Sequence, residues 1–207
     1  MLRVWGRTNS SNVMKVLWLL DELGLAFERI DAGGTFGRTD TPEYRAINPL
    51  GLVPSLEDDG FALFESNAIL RYLCNAHAPA SPLYPAAPRA RGEVDAWLDF
   101  QQTALNRPQS VVYLGLVRTA PEQRDHAAIA AATTEAGRIW GILDRRLADR
   151  PYVTGAELTI ADIAFAPHVH RWFAMPIARS DSPHLHAWYQ LLLQRPGCRT
   201  HVAQPLT

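Results

Sequence analysis

The chain has 207 residues, of which 47% are hydrophobic and 20% charged, values typical of a globular protein with room for one large domain or two small ones. Its net charge of −1 gives no electrostatic reason to expect nucleic acid or an anionic membrane as a partner. No apolar run approaches the roughly 20 residues that span a bilayer, and the first residues lack a stretch of signal-peptide length. Two distant cysteines, Cys74 and Cys198, indicate neither a disulfide framework nor a metal site, so a reducing cytoplasm is the expected location.

The first third of the chain alternates strand and helix patterns. Residues 2–5 are predicted to form a short strand, and residues 12–23 a helix that stops at Gly24. Residues 27–31 follow as a second strand, and residues 32–41, rich in Gly and Thr, as a loop. Thr41 and Pro42 have the pattern of an N-cap followed by proline at the first helical position, which predicts a short helix.

The motif Asn-Pro-x-Gly-x-Val-Pro, over residues 48–54, predicts a loop that enters a strand at a proline. An X-Pro bond adopts the cis form at little cost. A cis bond between Val53 and Pro54 would turn the Val53 N–H and C=O away from the sheet, free to pair with an extended peptide.

The next motif is an acid and a serine at the end of a strand. Residues 55–57 and 62–64 are predicted to form a hairpin, and Glu65 and Ser66 then open a helix over residues 66–75. The start of a helix offers N–H groups to a carboxylate. The two motifs therefore describe a socket for a small peptide that carries a carboxylate.

The rest of the chain has helical patterns after a linker dense in proline, residues 78–88. We predict long helices over residues 89–118 and 121–149, with Pro108 kinking or interrupting the first. Thr159 and Asp162 fit a capping box, which is a folding device. A last helix is predicted near residues 184–194, stopping at the Arg-Pro-Gly that follows.

These motifs, in this order and spacing, resemble the cytosolic glutathione transferase superfamily, in particular its bacterial, serine-type, theta- or nu-like members. The resemblance implies an α/β plus all-α fold: a thioredoxin-like, glutathione-binding domain over residues 1–77, a linker over 78–88 and a helical-bundle domain over 89–207 that lines the electrophile site. It also implies a homodimer that uses glutathione as co-substrate and no metal.

Thiol activation is assigned to the loop before the first helix. In the resembling family this loop presents the residue that binds the glutathione sulfur, and the candidates are Ser10, the adjacent Ser11, and Asn12, an amide that some bacterial members use. Lowering a thiol pKa from about 8.5 to about 6.5 requires roughly 2.7 kcal/mol. A hydrogen bond to a charged acceptor supplies about 1.5–3 kcal/mol of this, so a serine hydroxyl can act as the donor to sulfur.

The resemblance assigns the remaining glutathione contacts to Val53 and Pro54, to Glu65 for the γ-glutamyl amine, and to Ser66 for its carboxylate. Gln101, with Asp99 close by, falls near the position from which dimeric relatives reach across the interface to that amine. Leu50 and Gly51 stand where some relatives have Gln-His, so the glycyl carboxylate has no assigned partner. Arg38, Arg45 and Lys15 are candidates for it, each also consistent with a surface charge.

The electrophile pocket is predicted to be lined by Tyr113, His168, Arg171 and Trp172. The spacing of the histidines from residue 168 to 186 does not favour a metal site. The function that the resemblance implies is a glutathione transferase, in which the glutathione thiolate attacks a small hydrophobic electrophile. The alternatives are a glutathione-dependent disulfide or peroxide reductase, favoured if Asn12 rather than Ser10 meets the sulfur, and a non-catalytic protein-interaction module.

Overall fold

The computed structural model describes all 207 residues. A four-stranded sheet forms the first third of the chain, with β1 at Leu2–Trp5, β2 at Phe27–Ile30, β3 at Ser55–Asp58 and β4 at Phe61–Phe64. The strand order is β2-β1-β3-β4, with β1 parallel to β2 and antiparallel to β3, and β3 antiparallel to β4. The β3–β4 turn consists of Asp59 and Gly60, both at positive φ, as a tight hairpin requires.

Three helices connect or follow these strands: α1 at Ser11–Glu22, α2 at Pro42–Ile47 and α3 at Ser66–His77. The predicted order β-α-β-α-β-β-α is therefore present. The loop predicted over residues 32–41 contains one 3-10 turn, Gly34–Phe36. Thr41 caps α2 as predicted, since its hydroxyl accepts a hydrogen bond from the Tyr44 amide at 3.2 Å.

The remaining chain is helical, which confirms the predicted fold class. The helices are α4 at Pro88–Phe100, α5 at Asn106–Tyr113, α6 at His126–Arg146, α7 at Ile160–Ala174, α8 at Pro183–Leu192 and α9 at Pro196–His201. Short 3-10 turns, Pro121–Gln123 and Leu147–Asp149, flank α6. None of the helices combines the length and apolar character that a membrane crossing needs.

The predicted interruption at Pro108 takes the form of a widened turn. A π-helical turn, Gln101–Leu105, joins α4 to α5, and a second, Leu114–Arg118, ends α5. Pro108 lies in the first turn of α5, just after the widened turn, where the helix accommodates its missing N–H. The path is continuous through residue 118.

Helix α1 joins the sheet to the helical part of the chain. Every residue from Val13 to Leu20 is buried, because α1 packs between α3 on one side and α7 and α9 on the other. Trp18 lies so close to Gly197 that a Cβ there would approach the indole to 2.5 Å. Helix α8 ends at Leu192, before the predicted stop at Arg-Pro-Gly, but α9 was not predicted: Pro196 opens it against this tryptophan.

The predicted capping box begins α7. Asp162 accepts from the Thr159 amide at 3.0 Å, and its other oxygen accepts from the Val153 amide and the Trp188 indole at 2.9 Å each. One buried carboxylate thus ties together the α7 start, the loop before it and α8, which the local motif alone does not predict.

Candidate active site

Three segments meet at one edge of the sheet. Trp5, at the end of β1, pairs with Ser55, at the start of β3, and Ser55 pairs with Phe64, at the end of β4. The loop after β1, the Val53-Pro54 bond and the Glu65-Ser66 pair therefore leave the sheet side by side. The two motifs that the sequence singled out are neighbours in space.

The loop after β1 ends at Ser10, the N-cap of α1. Ser10 is 9% exposed, its carbonyl accepts from the Met14 amide, and its hydroxyl makes no hydrogen bond within the chain. Ser11 and Asn12 form the first turn of the helix, and the Asn12 Oδ1 is buried without a donor. The hydroxyl of Ser10 is thus free to donate to a ligand at the positive end of the helix.

The Val53-Pro54 peptide bond is cis. The N–H and C=O of Val53 make no hydrogen bond to the rest of the chain, whereas the preceding carbonyl of Leu52 accepts from the Tyr44 hydroxyl at 2.6 Å and from Asn48 at 2.8 Å. The loop is therefore braced on one side and leaves the Val53 backbone open for an extended ligand.

Two residues have structural roles in this loop. Gly51 has φ +65°, and a Cβ there would approach the Thr39 carbonyl oxygen to 2.7 Å, so the turn requires glycine. Arg45, a candidate for the glycyl carboxylate, donates to the Pro49 carbonyl at 2.7 Å and so braces the loop.

Glu65 and Ser66 form the junction between β4 and α3. Glu65 is exposed and has φ +69°, in a region that residues other than glycine rarely adopt, which is typical of strain held at a functional site. Ser66 is the first residue of α3 and is buried. The first amide groups of this helix make no hydrogen bond within the chain and suit a carboxylate.

Lys15 contacts the side chains at this helix start from the interior of the protein. It is fully buried, and its Nζ donates to Gln101 Oε1 at 2.7 Å and to Asn67 Oδ1 at 3.3 Å, and lies 3.5 Å from Ser66 Oγ. The prediction of a surface charge or glycyl contact is wrong. Burial lowers the pKa of the Lys15 ammonium to about 7, against a smaller opposing effect from Glu65.

Gln101 is also placed differently from its prediction. It is fully buried at the start of the π-helical turn, where its side chain contacts Lys15 and, at 3.0 Å, the His168 Nε2. It cannot reach the ligand of a second subunit, so that assignment is wrong. Asp99 is instead on the surface, paired with Arg71 at 3.0 Å.

A cavity of about 250 Å³ opens beside Ser10. Of the predicted residues, six line it: Ser10, Ser11, Asn12, Val53, Tyr113 and Arg171. Its other lining residues are Asn9, Leu52, Asn106, Ser110, Leu114 and two further arginines, Arg7 and Arg118. The structure thus joins the candidate sulfur site, the open backbone of Val53 and α5 around one volume of small-molecule size.

Two predicted pocket residues lie elsewhere. His168 is buried behind Gln101, where burial, then the charges of Lys15 and Arg171, hold its pKa well below the usual value. Trp172 packs against Trp140 and lines a separate groove of about 700 Å³ beside α6, which contains none of the predicted glutathione residues. Both predictions are wrong, because these residues occupy the inner face of α7.

Sequence reasoning missed Arg7 and Arg118 as cavity residues, and it missed the buried position of Lys15. The chain carries a signal for the last: Lys15 is its only lysine and stands inside an apolar run. Such a residue is buried and functional more often than a lysine on a charged helix face.

Neither cysteine can act as a thiolate at neutral pH. Cys74 and Cys198 are free and buried, and burial raises the pKa of each thiol to about 12. The structure brings no three His, Cys, Asp or Glu side chains together as metal ligands.

Comparison with known proteins identifies the family. Residues 1–75 match the model of the glutathione S-transferase N-terminal domain, and residues 127–191 that of the C-terminal domain. Glutathione S-transferase GstB of Escherichia coli (strain K12) is 41% identical over all of both chains, and glutathione S-transferase 3 of Zea mays is 31% identical over 86% of this chain and 90% of its own.

A solved structure extends the match to three dimensions. The theta class glutathione S-transferase of the citrus canker pathogen Xanthomonas axonopodis pv. citri, with glutathione bound, superposes with a TM-score of 0.95 at 45% identity, over 100% of this chain and 99% of its own. The chain therefore belongs to the glutathione S-transferase family.

Proposed function

We propose that this chain binds glutathione along the sheet edge and activates its thiol for attack on a small electrophile in the adjoining cavity. The observation that carries the proposal is the free hydroxyl of Ser10, held at the start of α1 beside the open backbone of Val53. A hydroxyl donor and a helix N-terminus both favour the thiolate over the thiol.

Each segment at the sheet edge has a role in this proposal. Ser10 donates to the sulfur, and the N–H and C=O of Val53, set by the bond to Pro54, pair with the cysteinyl backbone. Ser66 and the α3 N-terminus hold the γ-glutamyl carboxylate, and the exposed, unpaired Glu65 meets the amine. The proposal leaves Ser11 and Asn12 as the alternatives for the sulfur contact, because both line the same cavity.

The proposal extends to the domain bounds, the cellular location and the oligomeric state. The chain divides into a glutathione-binding domain over residues 1–77, a linker over 78–88 and a helical domain over 89–207, supported by the end of α3 at His77 and the start of α4 at Pro88. We place the protein in the cytoplasm as a homodimer, with glutathione as co-substrate and no metal.

A glutathione-dependent disulfide or peroxide reductase is the second candidate. Asn12 supports it because it lines the same cavity, where its side-chain amide N–H can donate to a bound thiolate. A reductase that uses a protein thiolate is disfavoured, because both cysteines are buried and have pKa values near 12.

Retention on immobilised glutathione, combined with conjugation of a chlorinated nitrobenzene, tests the first proposal. Wild type should bind and turn over, and Ser10→Ala should bind but lose turnover at neutral pH. The reductase would be favoured if wild type turned over a hydroxyalkyl disulfide faster than the chlorinated nitrobenzene, and if this disulfide activity were lost in Asn12→Ala but kept in Ser10→Ala. Failure of wild type to bind glutathione would leave only the protein-interaction module.

A further inference from the structure

The cavity beside Ser10 has an uneven charge. Three arginines line it, Arg7 from the loop after β1, Arg118 from the π-helical turn after α5 and Arg171 from α7, and no aspartate or glutamate does. None of the three forms an ion pair anywhere in the chain. Three positive charges thus line one small volume, and none of them has an ion-pair partner.

Arg171 has a structural reason to be there. It is 8% exposed, donates to the Asn9 carbonyl at 2.8 Å and stacks over the Tyr113 ring at 3.8 Å. Burial, followed by the charges of Arg7 and Arg118, lowers its pKa to about 10, so it remains charged at neutral pH. Its contacts brace the loop that carries Ser10 and require no ligand.

Arg7 and Arg118 have no such explanation. Arg7 is half-buried, and its Nη1 is buried without any hydrogen-bond partner. Arg118 is exposed, lines the cavity, and makes no hydrogen bond within the chain through its side chain. A guanidinium cannot release its proton at neutral pH, so an unpaired, partly desolvated nitrogen is costly until an anion meets it.

A negative group does lie nearby, but it is already engaged. Thr207 is the last residue of the sequence, so its main-chain oxygen belongs to a carboxylate; this oxygen accepts from the Tyr113 hydroxyl at 2.5 Å, and the Thr207 hydroxyl accepts from Asn9 at 3.0 Å. The carboxylate forms no ion pair with the arginines. The apolar side chains that line the cavity are those of Leu52, Val53 and Leu114.

We propose that the electrophile of this enzyme is a small organic acid, whose carboxylate meets Arg7 and Arg118 and whose reacting carbon lies toward Ser10. This inference rests on the proposed function and narrows its substrate class. The planar fork of arginine matches a carboxylate through two parallel hydrogen bonds, and the apolar lining residues Leu52, Val53 and Leu114 contact the body of the molecule in this proposal.

The reaction with a 2-halo acid balances without a further reactant. The glutathione thiol releases its proton to solvent, and the thiolate attacks the carbon that carries the halogen. A carbon–sulfur bond forms as the carbon–halogen bond breaks, and halide leaves with the electron pair. With iodoacetate the products are S-carboxymethylglutathione and iodide.

Iodoacetate and iodoacetamide form a matched pair of probes, because they share a leaving group and differ in charge. The enzyme's own thiols should not interfere, since Cys74 and Cys198 are buried and have raised pKa values. The readout is kcat/KM for each probe, divided by its uncatalysed rate with glutathione. We expect this acid-to-amide ratio to be about 10 or more in wild type and to fall about tenfold in Arg118→Gln.

Arg107→Gln is the control, because Arg107 is exposed on α5 and lies outside the cavity. Its acid-to-amide ratio should equal that of wild type. A wild-type ratio at or below about 1, or a ratio unchanged in Arg118→Gln, would overturn the inference while leaving the proposed function standing. A lower affinity for glutathione itself in Arg118→Gln, with the ratio unchanged, would assign the arginines to glutathione instead.

A binding measurement separates this inference from the proposed function. Calorimetry should show S-carboxymethylglutathione binding about tenfold more tightly than S-carbamidomethylglutathione, with the difference lost in Arg118→Gln. Equal affinities would overturn the inference. Binding of both conjugates without turnover of either probe would contradict the proposed activity alone.

Discussion

Ser10→Ala removes the hydroxyl of the α1 N-cap residue, which has no partner within the chain. A hydrogen bond to a thiolate is worth about 1.5–3 kcal/mol, so its loss raises the pKa of bound glutathione by about 1.1–2.2 units. If that pKa is about 6.5 in wild type, the variant titrates between about 7.6 and 8.7.

The thiolate fraction sets the size of the effect. At about pH 6.5 it falls from about one half to between roughly 0.07 and 0.006, so kcat/KM should drop about 7- to 80-fold. At about pH 9 both proteins are mostly ionised, and the rates should agree within about twofold. The assay is the pH profile of kcat/KM for conjugation of a chlorinated nitrobenzene.

Ser11→Ala is the matched control, since Ser11 lines the same cavity one residue along the helix. Its profile should coincide with that of wild type. A Ser10→Ala profile with an unchanged midpoint, or a shifted midpoint in Ser11→Ala instead, would refute the assignment of Ser10 to the sulfur.

Three further variants test other parts of the site and fold. Between about pH 7 and pH 8.5 the buried Lys15 is neutral in the folded chain but protonated in the unfolded chain, so the unfolded state binds one more proton and stability rises by about 1.4 kcal/mol per pH unit. Urea unfolding of Lys15→Met should lack this slope, and an equal slope in both proteins would contradict it. Ser66→Ala should weaken glutathione binding about tenfold by calorimetry with kcat unchanged, and unaltered affinity would remove Ser66 from the carboxylate site. Asp162→Ala should lower the free energy of unfolding by at least about 3 kcal/mol, because it leaves the buried Val153 and Thr159 amides and the Trp188 indole unpaired; a loss below about 1 kcal/mol would contradict this.

The order of elements in the first third could be predicted from local signals. Thr41 and Pro42 are typical of a helix start and predict α2, and Asp59 with Gly60 is a residue pair typical of a tight hairpin turn. The position of Pro54 before a strand pointed to the sheet edge where the candidate site lies. These features depend only on residues close together in the sequence, so the local sequence pattern was sufficient to predict them.

Positions set by the packing of α1 and α7 could not be predicted in the same way. His168 and Trp172 have helical spacing but face the interior, and Gln101 is buried against Lys15 rather than exposed on a long helix. Their surroundings come from elements far apart in the chain. Periodicity identifies an apolar face, but it does not say which helix will cover a polar residue.

The cationic lining of the cavity shows the same limit. Arg7, Arg118 and Arg171 are separated by up to 164 residues and converge only through the packing of α5 and α7 against the loop after β1. In sequence Arg7 and Arg118 resemble ordinary surface charges. Their shared lack of a carboxylate partner becomes visible only in three dimensions.

A crystal structure of the protein with glutathione would show directly whether Ser10 binds the sulfur. We expect the sulfur within about 3.5 Å of the Ser10 hydroxyl, the cysteinyl backbone paired with Val53, and the γ-glutamyl carboxylate at the Ser66 amide. Glutathione bound elsewhere, or with its sulfur contacting Asn12 and turned away from Ser10, would contradict it.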